Sequence, residues 1–154
     1  MARRATRGES GFSLAELIVL LAVIGILTAF SVPMMLTYWR TSTLMAGARE
    51  VAAALNSARE LAIRENTNVC VTTDGTRLQY HLGTCGAATW KGPVTDGGGN
   101  IRLDSGATVN GTANVIFNYL GAATQTGGYT VKLRPTDTVT LSVTVLQNGR
   151  VSIP

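Results

Sequence analysis

Between Leu17 and Trp39 the chain has no charged side chain, and most of that stretch reads LIVLLAVIGILTAFSVPMML. As a helix, about twenty apolar residues cross the roughly 30 Å hydrocarbon layer of a bilayer. Arg3, Arg4 and Arg7 precede the run and a single Arg40 follows it. This bias places the N-terminus in the cytoplasm and the bulk of the chain outside. A cleaved secretory signal is the competing reading. Its apolar region is usually about 7–15 residues long and ends at an A-x-A-like site. Here the run is longer and no such site follows, so it reads as a retained single-pass anchor.

The helical pattern continues past the apolar run. In residues 41–65, Leu44, Ala48, Val51, Leu55, Ala58 and Ala62 recur at steps of four and three, which is one helical face. Most charged residues of this segment fall off that stripe, and Glu60 and Arg64 form a favourable i,i+4 pair. Alanine is abundant, so intrinsic propensity agrees. Asn66-Thr67-Asn68 ends the segment. Helix from 12 to 65 would give a rod of about 81 Å at 1.5 Å per residue, far longer than one bilayer. Pro33 should kink or loosen it, and Gly25 is a second weak point.

After residue 68 the period changes to two. Val69–Thr73 and Thr76–Leu82 flank Asp74-Gly75 and predict a hairpin with a type I′ turn. Residues 83–100 read as a Gly-rich loop, with Gly97-Gly98-Gly99 a flexible end. Ile101–Leu103, Val115–Leu120, Tyr129–Arg134 and Thr138–Leu146 read as strands. Asn148-Gly149 turns the last of these into Arg150–Ile153. The expected fold is α+β: one long N-terminal helix whose Leu44–Ala62 face covers a small antiparallel β-sheet domain of six or seven strands. The expected organisation is a leader over 1–11, a membrane-spanning helix half over 12–40, an amphipathic half over 41–66 and a β-rich domain over 67–154.

Composition removes several functions. Lys+Arg 13 against Asp+Glu 9 gives +4, and charged residues are 14% of the chain, against roughly 25% in ordinary soluble domains. That argues against a nucleic-acid binder built on a broad basic surface. One His and two Cys exclude a multi-His or four-Cys metal site. No G-x-S-x-G elbow occurs, and no Gly-Lys-Ser/Thr follows Gly97-Gly98-Gly99. The chain reads as a non-enzyme with no cofactor. Trp90 and Tyr129 read as packing residues.

At the start of the apolar run stands Gly11-Phe12-Ser13-Leu14-Ala15-Glu16. It closely resembles the class III (prepilin) signal of type IV pilins and type II secretion pseudopilins. The resemblance implies cleavage between Gly11 and Phe12 on the cytoplasmic side and N-methylation of Phe12. Residues 51–71 (VAAALNSARELAIRENTNVCV), 115–123 (VIFNYLGAA) and 143–153 (VTVLQNGRVSI) look like the helix end, strands and C-terminal hairpin of the GspH/FimT family of minor subunits. That family implies an N-terminal helix with two small sheets. It also implies work in protein secretion or pilus assembly. The implied partners are the prepilin peptidase, other pilins or pseudopilins in a filament, and an inner-membrane assembly platform. The implied location is the bacterial inner membrane, single-pass, with the N-terminus cytoplasmic and the C-terminal domain periplasmic or otherwise extracytoplasmic.

Glu16 has a physical argument of its own. A carboxylate near the centre of a membrane helix costs about 2.5–3.5 kcal/mol, less near the interface. Such an acid needs a partner, and the amine of Phe12 on a neighbouring subunit supplies one. Cys70 and Cys85 lie on the expected outer side, where disulfides persist. A bridge, two buried free thiols and, remotely, a catalytic Cys are the readings. The last is disfavoured because the sole His, His81, is expected at an exposed strand position. The alternative function is DNA uptake by a FimT-like minor pilin, with Arg150, Lys132 and Arg134 as candidate DNA-binding residues. Some FimT-like proteins carry Gly-Arg-x-Arg there; this chain has Gly149-Arg150-Val151-Ser152, without the second Arg.

Overall fold

Helix α1 spans Leu14–Arg64 in the computed structural model, which describes residues 12–134 and 137–154. The expected leader, Gly11 included, lies outside the described residues. The first helical bond runs from the Leu17 N–H to the Ser13 carbonyl. The helix is unbroken through Pro33, and the Thr37 hydroxyl donates to the Pro33 carbonyl at 3.1 Å. It ends where Asn66 takes φ +49°. The Thr67 N–H then reaches back to the Ala62 carbonyl and that of Asn66 to Ile63, a Schellman cap that satisfies the last carbonyls. The Glu60–Arg64 pair does not form; Arg64 Nε lies 3.3 Å from Glu65 Oε1 instead. Exposed pairs of either kind gain little.

The chain divides into two compact units, Met1–Trp39 and Arg40–Pro154. In the first, α1 leaves its large apolar side chains exposed on every side. Among the described residues, α1 is the one helix long and apolar enough to cross a membrane. Its hydroxyls bond inward: Thr28 donates to Ile24 O at 2.9 Å and Ser31 to Leu27 O at 2.8 Å.

The second unit contains two antiparallel sheets. One holds β1 (Val69–Thr73), β2 (Arg77–Leu82), β3 (Asn100–Arg102), β5 (Val115–Phe117) and β6 (Ala123–Gln125), ordered β3-β2-β1-β5-β6. The other holds β4 (Thr108–Gly111), β7 (Gly128–Lys132), β8 (Leu141–Val145) and β9 (Val151–Ser152), in that order. The sheets meet at their margins. Val109 N–H donates to Gly75 O at 2.8 Å, and Ala123 N–H to Gln147 O at 3.0 Å.

The core lies between these sheets and the α1 face that periodicity picks out. Leu44, Ala48, Val51, Leu55, Ala58 and Ala62 are all buried against Val71, Tyr80, Val115, Phe117, Tyr129, Val131 and Val143. Gly47 lets a loop approach closely, since a Cβ there would lie 2.8 Å from that of Ala107. Glu50 fixes the same loop by accepting from the Ser105 N–H and hydroxyl at 2.9–3.3 Å. Two tyrosines extend into the core and spend their hydroxyls on backbone. Tyr80 donates to Ala54 O at 2.5 Å and Tyr129 to Val71 O at 3.1 Å.

Two local expectations need correction, and a third, the turn at Asn148-Gly149, is found where the sequence places it. The first hairpin pairs Thr73 with Leu78, which centres its turn on Gly75-Thr76 rather than Asp74-Gly75. Only Gly75 has positive φ (+99°), the type II′ pattern. Asp74 accepts from the Thr76 and Arg77 N–H groups and fixes that register. The Gly97-Gly98-Gly99 segment is a closed turn, not a free loop. Asp96 Oδ1 accepts from the Asn100 and Gly98 N–H groups, and Asn100's N–H, foremost, holds the Asp96 carboxyl below the usual carboxylate range. The last hairpin pairs Val145 with Val151 and places Gly149 (φ +76°) at the end of its turn, as in a type I turn with a G1 bulge.

Candidate functional site

The N-terminal candidates sit where a partner could reach them. Phe12 is exposed, and Glu16 lies in the first turn of α1, three residues after Ser13. A carboxylate there faces the positive end of the helix dipole. Among the described residues it is the one charged group before Arg40.

The cysteines form a disulfide, Cys70–Cys85, with Cα atoms 5.1 Å apart. The bridge explains why β1 buries three consecutive residues, Val69, Cys70 and Val71. Val69 and Val71 face α1, and the loop tethered through Cys85 covers the other face. That loop also overturns the exposed placement of His81, which is buried at 8% exposure. Cys70 and His81 are register partners on β1 and β2. His81 Nδ1 lies 2.7 Å from Ala87 O and Nε2 lies 3.0 Å from Thr72 Oγ1. A carbonyl only accepts, so Nδ1 carries a hydrogen and donates it to Ala87 O. His81 thereby pins the loop to the sheet. Among the described residues no three His, Cys, Asp or Glu side chains converge as a metal site would require.

The three candidate DNA-binding residues do not converge. Lys132 ends β7 and opposes the chain just before β8, while Arg150 precedes β9 and opposes the chain just after β8. That is about six residues along one strand, or roughly 20 Å. Arg134 follows Lys132 on the far side from Arg150.

A groove of about 410 Å³ runs beside α1, lined by Ser57, Glu60, Leu61, Arg64, Tyr80, Trp90, Pro93 and Val94. Trp90 and Tyr80 rings lie 6.2 Å apart there. Burial pushes the Tyr80 phenol far above its ordinary value, and its proton is committed to Ala54.

Sequence reasoning passes over two features. Asn118 organises a tight turn: its Oδ1 accepts from the Leu120 and Ala122 N–H groups, and its carbonyl from Gly121. An Asn three residues before a Gly is the signal that could mark it. Arg59 is half-buried beside Gly121 and Gly149, and its Nε is buried with no acceptor among the described residues. Nothing local marks Arg59, because the turns that cover it come from distant sequence.

A long helix, apolar and exposed at its start and amphipathic against two small antiparallel sheets later, defines a subunit of the pilin and pseudopilin class. A family model described as "Type II transport protein GspH" matches residues 47–149. The chain belongs to the GspH family. A protein described as "Fimbrial protein" from Pseudomonas aeruginosa is 27% identical over 110 residues, covering 71% of this chain and 68% of that one. The fold resembles that of the type IV minor pilin FimU of Pseudomonas aeruginosa. The TM-score is 0.56 at 15% identity, over 76% of this chain and 92% of that chain. It also resembles the minor pseudopilin EpsH from the type 2 secretion system of Vibrio cholerae. There the TM-score is 0.53 at 15% identity, over 72% and 95%. The family and the apolar helix mark a membrane-anchored structural subunit that assembles with others of its class.

Proposed function

We propose that this chain is a minor subunit of a type II secretion or type IV pilus filament, matured by cleavage between Gly11 and Phe12 and N-methylation of Phe12. Family membership over residues 47–149 carries the reading, together with an exposed apolar half of α1, before Arg40, that holds one acid, Glu16. Before assembly the helix spans the inner membrane with its N-terminus in the cytoplasm. Arg3, Arg4 and Arg7 precede the span, and Tyr38 and Trp39 close it with the aromatic pair typical of a membrane interface. The prepilin peptidase and the assembly platform act on this form. The charged amine of Phe12 then meets Glu16 of an adjacent subunit and sets the axial register between rods. Breaking such a pair in low dielectric costs about 3–5 kcal/mol, because one charge stays unpaired.

Glu16→Leu tests the pairing. The variant should insert into membranes as well as the parent, yet enter filaments at least about tenfold less, the factor that 1.4 kcal/mol makes in an equilibrium. Immunoblots of sheared filaments and of membranes measure both. Equal incorporation would refute the pairing, and mass spectrometry finding residues 1–11 retained would refute the maturation.

A further inference from the structure

The second unit leaves six large hydrophobic residues exposed among the described positions, and four of them gather at one end. Ile63 lies at the end of α1, Tyr119 and Leu120 on the Asn118 turn, and Leu146 at the start of the last hairpin turn. The turns touch. A Cβ on Gly149 would collide with the Gly121 carbonyl oxygen, and one on Gly121 would lie 2.9 Å from both Arg59 Nε and Ile63. Leu120 is 70% exposed, yet its backbone is held rigidly by Asn118. Two cations flank these side chains, Arg59 beneath the turns and Arg150 directly after Gly149. The two ion pairs among the described residues are Arg64–Glu65 and Arg102–Asp96. Neither uses Arg59 or Arg150, and residues 118–123 and 146–154 contain no acid.

We infer that this end is a docking surface for a different filament subunit, one presenting an apolar side chain flanked by carboxylates. The inference rests on the filament reading above. Contiguous exposed apolar surface marks interaction sites, and Tyr and Arg dominate the energetics of protein interfaces. Prior ordering of the turn lowers the entropic cost of docking. Charge selects the partner. In a two-fold contact between copies the same patch faces itself, bringing Arg59 and Arg150 against their own equivalents. An acidic partner instead meets both cations with opposite charge.

The test is in-cell photocrosslinking of the full chain with a photoreactive phenylalanine at position 120, and at Val139, an exposed residue outside the patch, as control. The expected product is an adduct at position 120 to another pilin-class subunit, through a segment containing Asp or Glu. Arg150→Glu should lower its yield about tenfold, and a Lys at the crosslinked acid should restore it. Non-reducing mobility of Cys70–Cys85 monitors folding. An adduct to a second copy, an adduct to DNA, equal yield at both positions or no rescue would overturn the surface. No adduct in sheared filaments that contain the chain overturns the surface and leaves the assembly reading standing. Absence of the chain from filaments overturns both.

Discussion

Tyr80 and Tyr129 make the stability of the second unit sensitive to alkali. Both rings are almost wholly buried, and burial pushes the Tyr129 phenol from 10.0 up to about 12 and the Tyr80 phenol further. A group whose folded pKa is raised contributes stability that is fully present below its unfolded pKa. That stability is lost as pH rises above it, because the unfolded chain releases its proton first. For Tyr129 the window therefore runs from pH 10 to about pH 12. Each tenfold weakening of an acid on folding is worth about 1.4 kcal/mol, so Tyr129 alone removes on the order of 3 kcal/mol across that window. Tyr80 removes stability over the same range, and together they remove an amount comparable with the whole stability of many domains. The assay is urea unfolding followed by near-ultraviolet circular dichroism, in detergent, at intervals from pH 8 upward. Tyr38→Phe/Tyr119→Phe removes the other two of the four tyrosines, so tyrosinate absorbance reports the buried pair. It should rise together with loss of the dichroism signal. Tyr129→Phe should cost about 1 kcal/mol near pH 8 through its lost bond to Val71, but roughly halve the alkaline slope. Ionisation of both phenols around pH 10 with the dichroism intact would refute the argument.

Replacing both cysteines by Ser should destabilise the second unit by about 3 kcal/mol, as expected for a closed loop of about 15 residues. Urea midpoints with and without reductant measure it, and a parent insensitive to reductant would contradict it. Gly149→Ala should destabilise more than its size suggests. Its φ of +76° alone costs about 1–2 kcal/mol for a residue with a side chain, and the new Cβ meets the Gly121 carbonyl. Thermal unfolding of this variant should fall below that of Gly75→Ala, where nothing lies within 4 Å.

The helix is legible in sequence because its information is local. Steps of four and three along Leu44–Ala62 name the buried face without a partner in view, and all six residues are buried. Strands are legible where alternation runs through large apolar residues, as in β7 and β8. Alternation fails for β4 and β6, which read TVNG and ATQ and carry one buried residue each, Val109 and Ala123. Both are sheet edges, defined by what they pair with rather than by their own pattern. Val115–Leu120 reads too long because hydrophobicity cannot register that Asn118 turns the chain. His81 reads as exposed because its cover is a loop tied down by a disulfide from Cys70 to Cys85, fifteen residues further on, a tertiary event that period-two reasoning does not see.

The two units obey opposite rules. From Arg40 onward the apolar face of α1 is spent on the sheets. Before Trp39 every large apolar side chain from Leu17 onward is exposed, each worth about 1.5–3 kcal/mol on transfer out of water. Summed along the segment, that exceeds the stability of a typical domain, so this half is complete only in hydrocarbon or against other rods. Its polar side chains are mostly no obstacle, since Thr28, Ser31 and Thr37 already bond to their own helix. Glu16 differs. Neither lipid nor a backbone carbonyl can donate to or neutralise a carboxylate, and no other charged side chain occurs between Phe12 and Trp39. In the reading proposed above, the amine of Phe12 on a neighbouring subunit supplies the positive group that this segment does not itself hold opposite Glu16.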